Sequence, residues 1–463
     1  MSIPQNETNA LNLADATTAS LAYIASNASN ASMASIASPS PFPRKVLVVT
    51  YYWPPSGGAG VQRWLKFSKY LPEAGWQPVI LTVDPEYAAY PATDLSLEKD
   101  VPAAAEVHRT KTTDWFRFYG GDKSKVPSAG FATNRDDSPG GKISRFIRGN
   151  FFIPDPRRGW NKHAFRKACE LIENHDIRNI ITTSPPHSSQ LIGLKLKKKY
   201  PHLRWLADLR DPWTDIYYYN LFYPTLLSRK IDSHYEKAVL AKADIITTVG
   251  PTLGKIFSSK MAGSGEKIKI IHNGFDEEDF SGLAASTPER FTISYTGTIS
   301  ESYPVNGFIM SLKELISGGS DLLLKFTGHI PDVQKNRLIS ELGAGHLEFI
   351  PYSDHRTVIG QMLSASMLLL VLAKDPGNRS FLPGKLFEYI ASGKPVVCLG
   401  PPSGDTAAIL NSGGYGRCFD YDDQEGITEF ISGCIKTGQG KTPAPPSEFS
   451  RRNLAMKVAQ LLD

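Results

Sequence analysis

The chain has 463 residues, which is more than one ordinary hydrophobic core needs and fits two domains. Hydrophobic residues make up 41% and charged residues 21% of it, as is typical of a soluble globular protein. The formal net charge of +5 is too small over this length to indicate a nucleic-acid partner.

Two further features of the whole chain bear on its location. The longest strongly apolar run, 367–373, is far shorter than the ~20 residues that a membrane-spanning helix needs. The cysteines are scattered without a C-x-x-C pair, so we interpret them as buried thiols in a reducing compartment rather than as disulfides or zinc ligands. These cysteines are Cys169, Cys398, Cys418 and Cys434. Together these features predict a cytoplasmic protein.

The first 43 residues differ from the rest in composition. Ala, Ser, Thr and Asn account for 26 of them, and none is Lys or Arg. Such a segment cannot bury enough apolar surface to offset its ordering entropy. It also lacks the basic and apolar regions of a secretory signal. We therefore predict a disordered tail over 1–43.

Short apolar runs alternate with helical patterns from residue 44 to residue 280. The first of them, "KVLVVT" at 45–50, is a continuous β-branched run, which is typical of a strand that a parallel sheet buries on both faces. The runs lie at 45–50, 78–83, 179–183, 203–208 and 243–249. Alternation of this kind predicts a doubly wound, Rossmann-like α/β domain.

The alternation restarts after a polar, turn-rich linker at 281–290. Five more apolar runs predict a second Rossmann-like domain over 291–445, and they lie at 291–297, 322–328, 347–352, 367–373 and 394–400. The remaining segment, 446–463, has an amphipathic helical pattern, and we expect it to pack back on the first domain. Two such domains place a ligand cleft at the carboxyl ends of their strands.

A glycine-rich loop follows the first predicted strand. Gly57, Gly58 and Gly60 precede a helical pattern, so backbone N–H groups there can approach an anion at a helix N-terminus. A tight turn without a ligand would use the same residues, and the loop matches neither a dinucleotide fingerprint nor a Walker loop.

The segment "PGKLFEYIASGKP" at 383–395 is the sharpest signal in the sequence. Pro383 suits the first turn of a helix, whose N-terminus attracts anions. Lys385 then adds a cation where the helix dipole disfavours one, which a bound anion explains better than folding does. Glu388 lies on the same helix face one turn on, where it can accept hydrogen bonds from hydroxyl groups.

Four blocks together resemble one family. "VVTYYWPPSGGAGVQRW", "ADLRDPW", "IHNGFDEEDF" and "FLPGKLFEYIASGKPVV" occur in the order found in retaining glycosyltransferases of the GT-B fold, family 4-like, of bacterial polysaccharide and lipopolysaccharide assembly. The resemblance covers both domains, from residue 45 to residue 421. It implies a GT-B fold and transfer of a sugar from a UDP- or GDP-sugar to a glycan or lipid-linked acceptor, with retention and without a metal or other cofactor.

The resemblance also implies roles for particular residues. Lys385 and Gly384 would bind the donor pyrophosphate, and Glu388 would bind the ribose. The glycine loop with Gly57 and Gly58 would lie against the donor phosphates and sugar. The remaining positions expected at the nucleotide, in loops after the strands of the second domain, are Gly297, His329 and Tyr352.

Two departures from the family pattern concern catalysis. The family commonly carries a second glutamate eight residues before the ribose-binding one, where this chain has Ser380. The basic pair that often follows the first strand of the second domain is also missing from 296–308, which leaves Arg379 and Lys385 as the nearest cations. These departures leave the donor sugar open and make a non-catalytic sugar-nucleotide binder one alternative.

Candidate catalytic residues of the first domain follow its strands. Asp208, Arg210 and Asp211 end one predicted strand, and His187 lies at another strand-to-helix turn. An Arg–Asp pair that anchors a loop, and a structural histidine, are the alternative interpretations. A retaining enzyme can use the leaving phosphate as its base, whereas an inverting one needs a base such as Asp155, His187 or Asp211. A nucleotide-sugar 2-epimerase of the same architecture is a further alternative.

Basic residues concentrate between 142 and 167. Eight Lys or Arg residues stand there against one acid, Asp155, and aromatic residues lie among them. This cluster predicts contact with an anionic membrane surface, and a solvated basic face is the alternative. We therefore expect a cytoplasmic protein that lies at the inner face of the membrane as a peripheral protein.

Overall fold

The computed structural model describes residues 44–113, 138–261, 263, 265–299, 303–375, 377–438 and 442–463. The predicted tail over 1–43 lies outside these described residues. None of the helices within them is long and apolar enough to cross a membrane.

The first half of the described chain forms a parallel sheet of seven strands in the order β3-β2-β1-β4-β5-β6-β7. Its strands are β1 (Arg44–Val49), β2 (Trp76–Val83), β3 (Glu106–Thr110), β4 (Asn179–Ser184), β5 (Arg204–Leu209), β6 (Ile245–Thr248) and β7 (Ile268–Ile270). The helices between them are α1 (Ala59–Tyr70), α2 (Pro139–Phe151), α3 (Asn161–His175), α4 (Gln190–Lys199), α5 (Leu226–Lys242) and α6 (Pro251–Ser259).

A short helix, α7 (Glu277–Phe280), leads to a second parallel sheet of six described strands in the order β10-β9-β8-β11-β12-β13. Its strands are β8 (Phe291–Thr296), β9 (Leu322–Thr327), β10 (Leu347–Ile350), β11 (Met367–Val371), β12 (Val396–Leu399) and β13 (Gly416–Phe419). Its helices are α8 (Asn306–Ser317), α9 (Asp332–Leu342), α10 (His355–Leu363), α11 (Gly384–Ala391), α12 (Asp405–Gly413) and α13 (Gln424–Lys436). Two Rossmann-like sheets confirm the predicted architecture.

Alternate side chains of the central strands enter different cores. In β11, Met367 and Leu369 pack in one apolar cluster of the second sheet, and Leu368 and Leu370 pack in the cluster on the opposite face. All of these side chains are buried, because helices cover both faces of a doubly wound sheet. This two-sided burial explains why the sequence of β11 is a continuous apolar run rather than an alternating one.

The last helix, α14 (Arg451–Leu462), packs against α1 of the first half. Its apolar stripe includes Leu454, Val458 and Leu462, which belong to the core cluster of the first sheet. The chain therefore returns from the second sheet to the first, as the amphipathic pattern predicts. The cysteines are buried and free, which confirms their interpretation as thiols.

A buried ion pair joins α1 to the middle of the first sheet. Arg63 of α1 donates to both carboxylate oxygens of Asp208 on β5, at 3.2 and 2.9 Å. Asp208 also accepts hydrogen bonds from Trp64, Thr183 and Thr247, each at 2.8 Å. The Asp208 side chain is fully buried, and these five donors compensate its charge. The same contacts position α1 behind the glycine loop.

Removing one partner of this pair leaves a buried charge without compensation. Arg63→Met is therefore expected to lower the free energy of unfolding by about 3–5 kcal/mol. Arg178→Met is the matched control, because its ion pair with Asp176 is exposed and its loss should cost less than ~0.5 kcal/mol. Urea unfolding followed by far-UV circular dichroism measures both, and equal losses would contradict this account of Asp208.

Candidate functional site

Each sheet reverses its strand order at its first strand. β1 lies between β2 and β4, and β8 lies between β9 and β11. The loops that follow such a pair leave in opposite directions and open a crevice at the carboxyl edge of the sheet. The loops after β1 and β4 carry Gly58 and His187, and those after β8 and β11 carry Gly297 and Arg379.

Contacts between loops show that the two carboxyl edges face each other. Tyr352, which follows β10, donates to Asp94, which follows β2, with 3.3 Å between Oη and Oδ2. Asp405 of α12 accepts hydrogen bonds from the amide and hydroxyl of Thr252 in α6, at 3.0 and 2.6 Å. The crevices of both sheets therefore open into one cleft.

Lys385 lies in the crevice of the second sheet. Its Nζ is 3.0 Å from the Thr296 carbonyl oxygen and 3.2 Å from Tyr295 Oη, and it lies 4.3 Å from the centroid of the Tyr295 ring. Burial lowers the pKa of its ammonium group. Among the described residues no carboxylate forms an ion pair with it, and two of its three protons have acceptors. The third proton has no acceptor among the described residues.

The helix that carries Lys385 begins without a side-chain cap. Pro383 precedes the first residue of α11, and no side chain accepts a hydrogen bond from the first turn. A Cβ added at Gly384 would meet only open space. The N–H groups of the first turn and the Lys385 ammonium thus concentrate positive charge at the mouth of the crevice.

Gly297 lets the chain pass close to Lys385. Its φ of +108° lies in a region that favours glycine, and an added Cβ would lie 3.4 Å from Lys385 Nζ. The neighbouring loop is tighter still, since a Cβ at Gly328 would lie 2.3 Å from the Gly297 carbonyl oxygen. Side chains at these positions would fill the space beside the ammonium group.

Glu388 lies one turn further along α11 and is held by groups from other elements. His355 Nε2 is 3.1 Å from Glu388 Oε1, and Arg451 Nη2 is 3.9 Å from the same oxygen. Burial acts to raise the pKa of Glu388, but His355 and Arg451 lower it overall. Burial likewise acts to lower the pKa of His355, but Glu388 and Asp279 raise it overall. Glu388 is therefore an ionised carboxylate, and its contacts with the described residues lie on one oxygen.

In the glycine loop of the first sheet, Gly57 is occupied by a backbone hydrogen bond and Gly58 has free space around it. The Gly57 amide donates to the Ala92 carbonyl at 2.9 Å, so this amide is already used. Gly58 has a φ of +88° and is exposed, and a Cβ there would meet nothing within 4 Å. α1 begins after Gly58 without a side-chain cap. Gly58 is thus the position of this loop that is open toward the cleft.

The three charged residues of "ADLRDPW" have different surroundings. Asp208 anchors α1 as described above, which agrees with the loop-anchoring interpretation for that residue. Arg210 donates to the carbonyl oxygens of Gly60 and Ser184, at 3.1 and 3.0 Å, and so holds the two loops of the crevice together. Asp211 has no hydrogen-bond partner among the described residues, and burial raises its pKa.

His187 is held against an aromatic ring. It stacks on Trp213 with 4.9 Å between ring centroids, and burial lowers its pKa to about 4. Its Nδ1 has no hydrogen-bond partner among the described residues. Asp155, another candidate base, accepts hydrogen bonds from the amide and hydroxyl of Ser188 and from the amide of Arg157. His187 is therefore neutral at pH 7, and Asp155 is occupied.

The other predicted positions are exposed. Arg379 lies in a turn after β11 without a hydrogen bond or ion pair among the described residues, and the Tyr352 side chain is 76% exposed. His329 is exposed, and its carbonyl accepts from Ile299 at 3.0 Å. Ser380 is buried and donates to the Gly377 carbonyl, so it supplies no carboxylate. The structure brings Lys385 and Gly297 together and leaves Arg379, Tyr352 and His329 at the rim.

A pocket opens beside His187 in the first half of the chain. Aromatic rings and two guanidinium groups line it, and they include Tyr52, Trp213, Tyr218, Arg148 and Arg157. Arg157 is only 4% exposed. Arg148 and Arg157 of the basic cluster at 142–167 therefore line this pocket, and contact of that cluster with a membrane stays a prediction.

One described group of side chains has metal-ligand spacing, and it lies away from the cleft. Glu106, His108 and His175 approach one another near the amino ends of β1 and β3. Lys45 Nζ lies 3.0 Å from His175 Nδ1 and 3.4 Å from Glu106 Oε2. An ammonium group thus already takes the cation position there.

Sequence reasoning missed the residues that hold the predicted ones. Tyr295 and Thr296 position Lys385, His355 and Arg451 position Glu388, and no local pattern links these partners. His355 carries the one available signal, because it begins a helix just after β10 at the carboxyl edge of the sheet.

Comparison with known proteins places the fold. No family model matches the chain. The structure of a glycosyltransferase of Rickettsia africae aligns with this chain over 97% of its own length and 90% of this chain. The TM-score is 0.58 and the sequence identity is 14%. Anabaena HepE, solved with UDP and glucose, matches 90% of this chain and 99% of its own at a TM-score of 0.55 and 15% identity. The fold is therefore of the GT-B type.

Two other similar proteins differ in the activity that their names give. The "Putative teichuronic acid biosynthesis glycosyltransferase TuaH" of Bacillus subtilis is 26% identical over 234 residues, which are 49% of this chain and 56% of that protein. The chain thus matches about half the length of this relative. A structure described as a UDP-N-acetylglucosamine 2-epimerase from Listeria monocytogenes has a TM-score of 0.51 at 11% identity, covering 89% of this chain and 94% of its own.

The low pKa of His187 makes stability depend on pH. Its pKa is about 4 in the folded protein and about 6.5 when exposed. The unfolded chain therefore binds a proton between these values that the folded protein does not, and unfolding free energy falls as pH drops from 6.5 to 4. His187→Gln should remove up to about 3 kcal/mol of this dependence. Urea unfolding at pH 7, 5.5 and 4 measures it, and parallel curves for both proteins would contradict it.

Proposed function

We propose that the protein is a glycosyltransferase that moves a sugar from a nucleotide-sugar to an acceptor. One observation carries the proposal. Lys385, a cation without a carboxylate partner among the described residues, lies at an uncapped helix N-terminus in the crevice of the second sheet. Burial and the helix dipole both disfavour a cation there, so an anionic ligand best explains it. The diphosphate of a nucleotide-sugar has the required charge.

The chemistry of sugar transfer fits this arrangement. When the bond between the anomeric carbon and the donor phosphate breaks, negative charge develops on the leaving diphosphate. The third proton of Lys385 and the N–H groups that begin α11 would stabilise that charge without rearranging. Gly58 and Gly297 would let the donor approach the backbone, and the exposed Arg379 is the second cation available to it.

The donor is proposed to carry uridine or guanosine, with Glu388 binding its ribose. HepE was solved with UDP and glucose, which supports a UDP-sugar as the first donor to test. Glu388 Oε2 has no hydrogen bond among the described residues, so it can accept one from a ribose hydroxyl. Tyr352 and His329, at the rim, remain proposed contacts of the base.

Retention is proposed for the stereochemical course. The acceptor hydroxyl would then attack the face of the donor sugar from which the phosphate departs, and this phosphate would take the hydroxyl proton. Asp155 has its hydrogen bonds occupied, and the pKa of His187 is too low for an efficient base at pH 7. Asp211, whose pKa is raised by burial, is the residue that would act as base if the reaction inverts instead.

The acceptor is proposed to be a glycan or lipid-linked sugar of a cell-surface polysaccharide. The name of the Bacillus subtilis relative supports such a pathway. The pocket beside His187 offers aromatic rings for a sugar to stack on and lies in the half of the chain opposite the donor crevice. A 2-epimerase would need no acceptor, so nucleoside diphosphate release that depends on added acceptor separates the two activities.

Association with the inner face of the membrane is also proposed, through an apolar surface formed by α2 and the start of α5. We call this the α2 face. α2 buries none of its side chains, and Asn150 joins it to the chain before α5 by hydrogen bonds to Tyr223 and Thr225. Exposed apolar side chains form the face, namely Ile143, Phe146, Ile147, Phe151, Tyr223, Leu226 and Leu227.

The charge around the α2 face fits an anionic bilayer. α2 carries Lys142 and Arg145 and no acidic residue, and Lys230 is exposed on α5. Cations beside apolar side chains bind anionic lipid by charge attraction, and the apolar side chains bind it by burial. Each cation contributes ~1 kcal/mol near the surface.

Lys385→Ala tests the donor site. The variant should lose roughly 10²–10³-fold in kcat, because one charge-assisted contact to the leaving group is removed. Lys313→Ala, which breaks an exposed ion pair with Glu341 elsewhere in the second domain, is the control and should be unchanged. Release of UDP from a UDP-sugar with acceptor present is the measurement. Near-normal turnover by folded Lys385→Ala would sink the assignment of this residue.

Vesicle flotation tests the α2 face. The wild-type protein should float with phosphatidylglycerol vesicles at low salt and be partly released as salt rises, because screening weakens the charge term. Ile143→Glu with Phe151→Glu should stay in the soluble fraction. Met310→Glu with Val333→Glu changes equally exposed residues of the second domain and should float like the wild type. A wild type that stays soluble at low salt overturns the membrane proposal.

A further inference from the structure

Four charged side chains from separate elements meet around Glu388. Asp279 belongs to α7, His355 to α10, Glu388 to α11 and Arg451 to α14. The side chains are 3–24% exposed, so water screens them little. α14 packs on the core of the first sheet, so this cluster, which we call the Glu388 cluster, joins both halves of the molecule.

Only one contact in the Glu388 cluster is a hydrogen bond among these four side chains. His355 Nε2 lies 3.1 Å from Glu388 Oε1. The other approaches are 3.8–3.9 Å, from Arg451 to Asp279 and Glu388 and from His355 Nδ1 to Asp279. These distances give attraction but do not fix an orientation. The carboxylate plane of Glu388 is therefore set chiefly by His355.

We infer that His355 is a positioning residue, which holds the Glu388 carboxylate by Oε1 and so leaves Oε2 oriented for a ribose hydroxyl of the donor. This inference rests on the proposed function. Arg451 and Asp279 add to the field that keeps both groups charged, and Arg451 brings the last helix into the nucleotide site. A carboxylate without His355 would rotate, and its hydrogen bond to ribose would weaken.

The test compares nucleotides with and without the hydroxyls that Glu388 would bind. UDP and 2′,3′-dideoxy-UDP are titrated calorimetrically into the wild type, His355→Ala and His355→Gln. The wild type should bind UDP more tightly than the dideoxy analogue. His355→Ala should weaken UDP binding roughly tenfold, the loss typical of a hydrogen bond to a charged group, and leave the analogue's binding unchanged. His355→Gln, which keeps a donor, should restore most of the preference.

The outcomes separate this inference from the proposed function. If the wild type prefers UDP and His355→Ala keeps the full preference, the positioning role is wrong while the donor site stands. If His355→Ala weakens both nucleotides equally, its role is structural and the inference is also overturned. If the wild type binds neither UDP nor GDP, the proposed function itself fails. His202→Ala, a change at an exposed histidine of the first domain, should match the wild type.

Discussion

The buried pair of Arg63 and Asp208 is the interaction on which the cleft depends. A carboxylate at the centre of a sheet is costly unless hydrogen-bond donors surround it. Here β4 and β6 each supply one donor residue, and α1 supplies Trp64 and the ion-pair partner Arg63. Arg63 also donates to the His272 carbonyl at 2.7 Å, where the chain leaves the first sheet. One charge therefore fixes α1, the glycine loop before it and the exit toward the second sheet.

Lys385 represents the opposite arrangement, a charge that the fold does not compensate. The described residues offer it a carbonyl and a phenol oxygen but no carboxylate, and its burial lowers its pKa. Proteins retain such unfavourable placements where a ligand supplies the missing partner. Asp208 thus carries a structural charge, whereas we propose that the charge of Lys385 binds a ligand. These two roles are distinguished by the surroundings of each charge, because the residue type alone does not separate them.

The sequence allowed the central strands and the helix of Lys385 to be predicted, because their signals are local. Strands buried on both faces read as apolar runs, and a lysine just after a proline conflicts with the helix dipole. β3, β7 and β13 were missed because an edge or short strand is partly exposed and carries charge, as Glu106 and Arg109 in β3 show. The partners of Lys385 and Glu388 come from distant segments, so no spacing could predict them. The basic cluster at 142–167 is continuous in the sequence, although burial divides Arg157 from the residues of the α2 face.

The position of a bound nucleoside diphosphate tests the central claim most directly. In a crystal structure of the full chain with UDP, the account predicts the terminal phosphate within hydrogen-bond distance of Lys385 Nζ and of the first N–H groups of α11. It also predicts a ribose hydroxyl on Glu388. A diphosphate bound elsewhere in the molecule, with Lys385 still contacting only Tyr295 and Thr296, would contradict it.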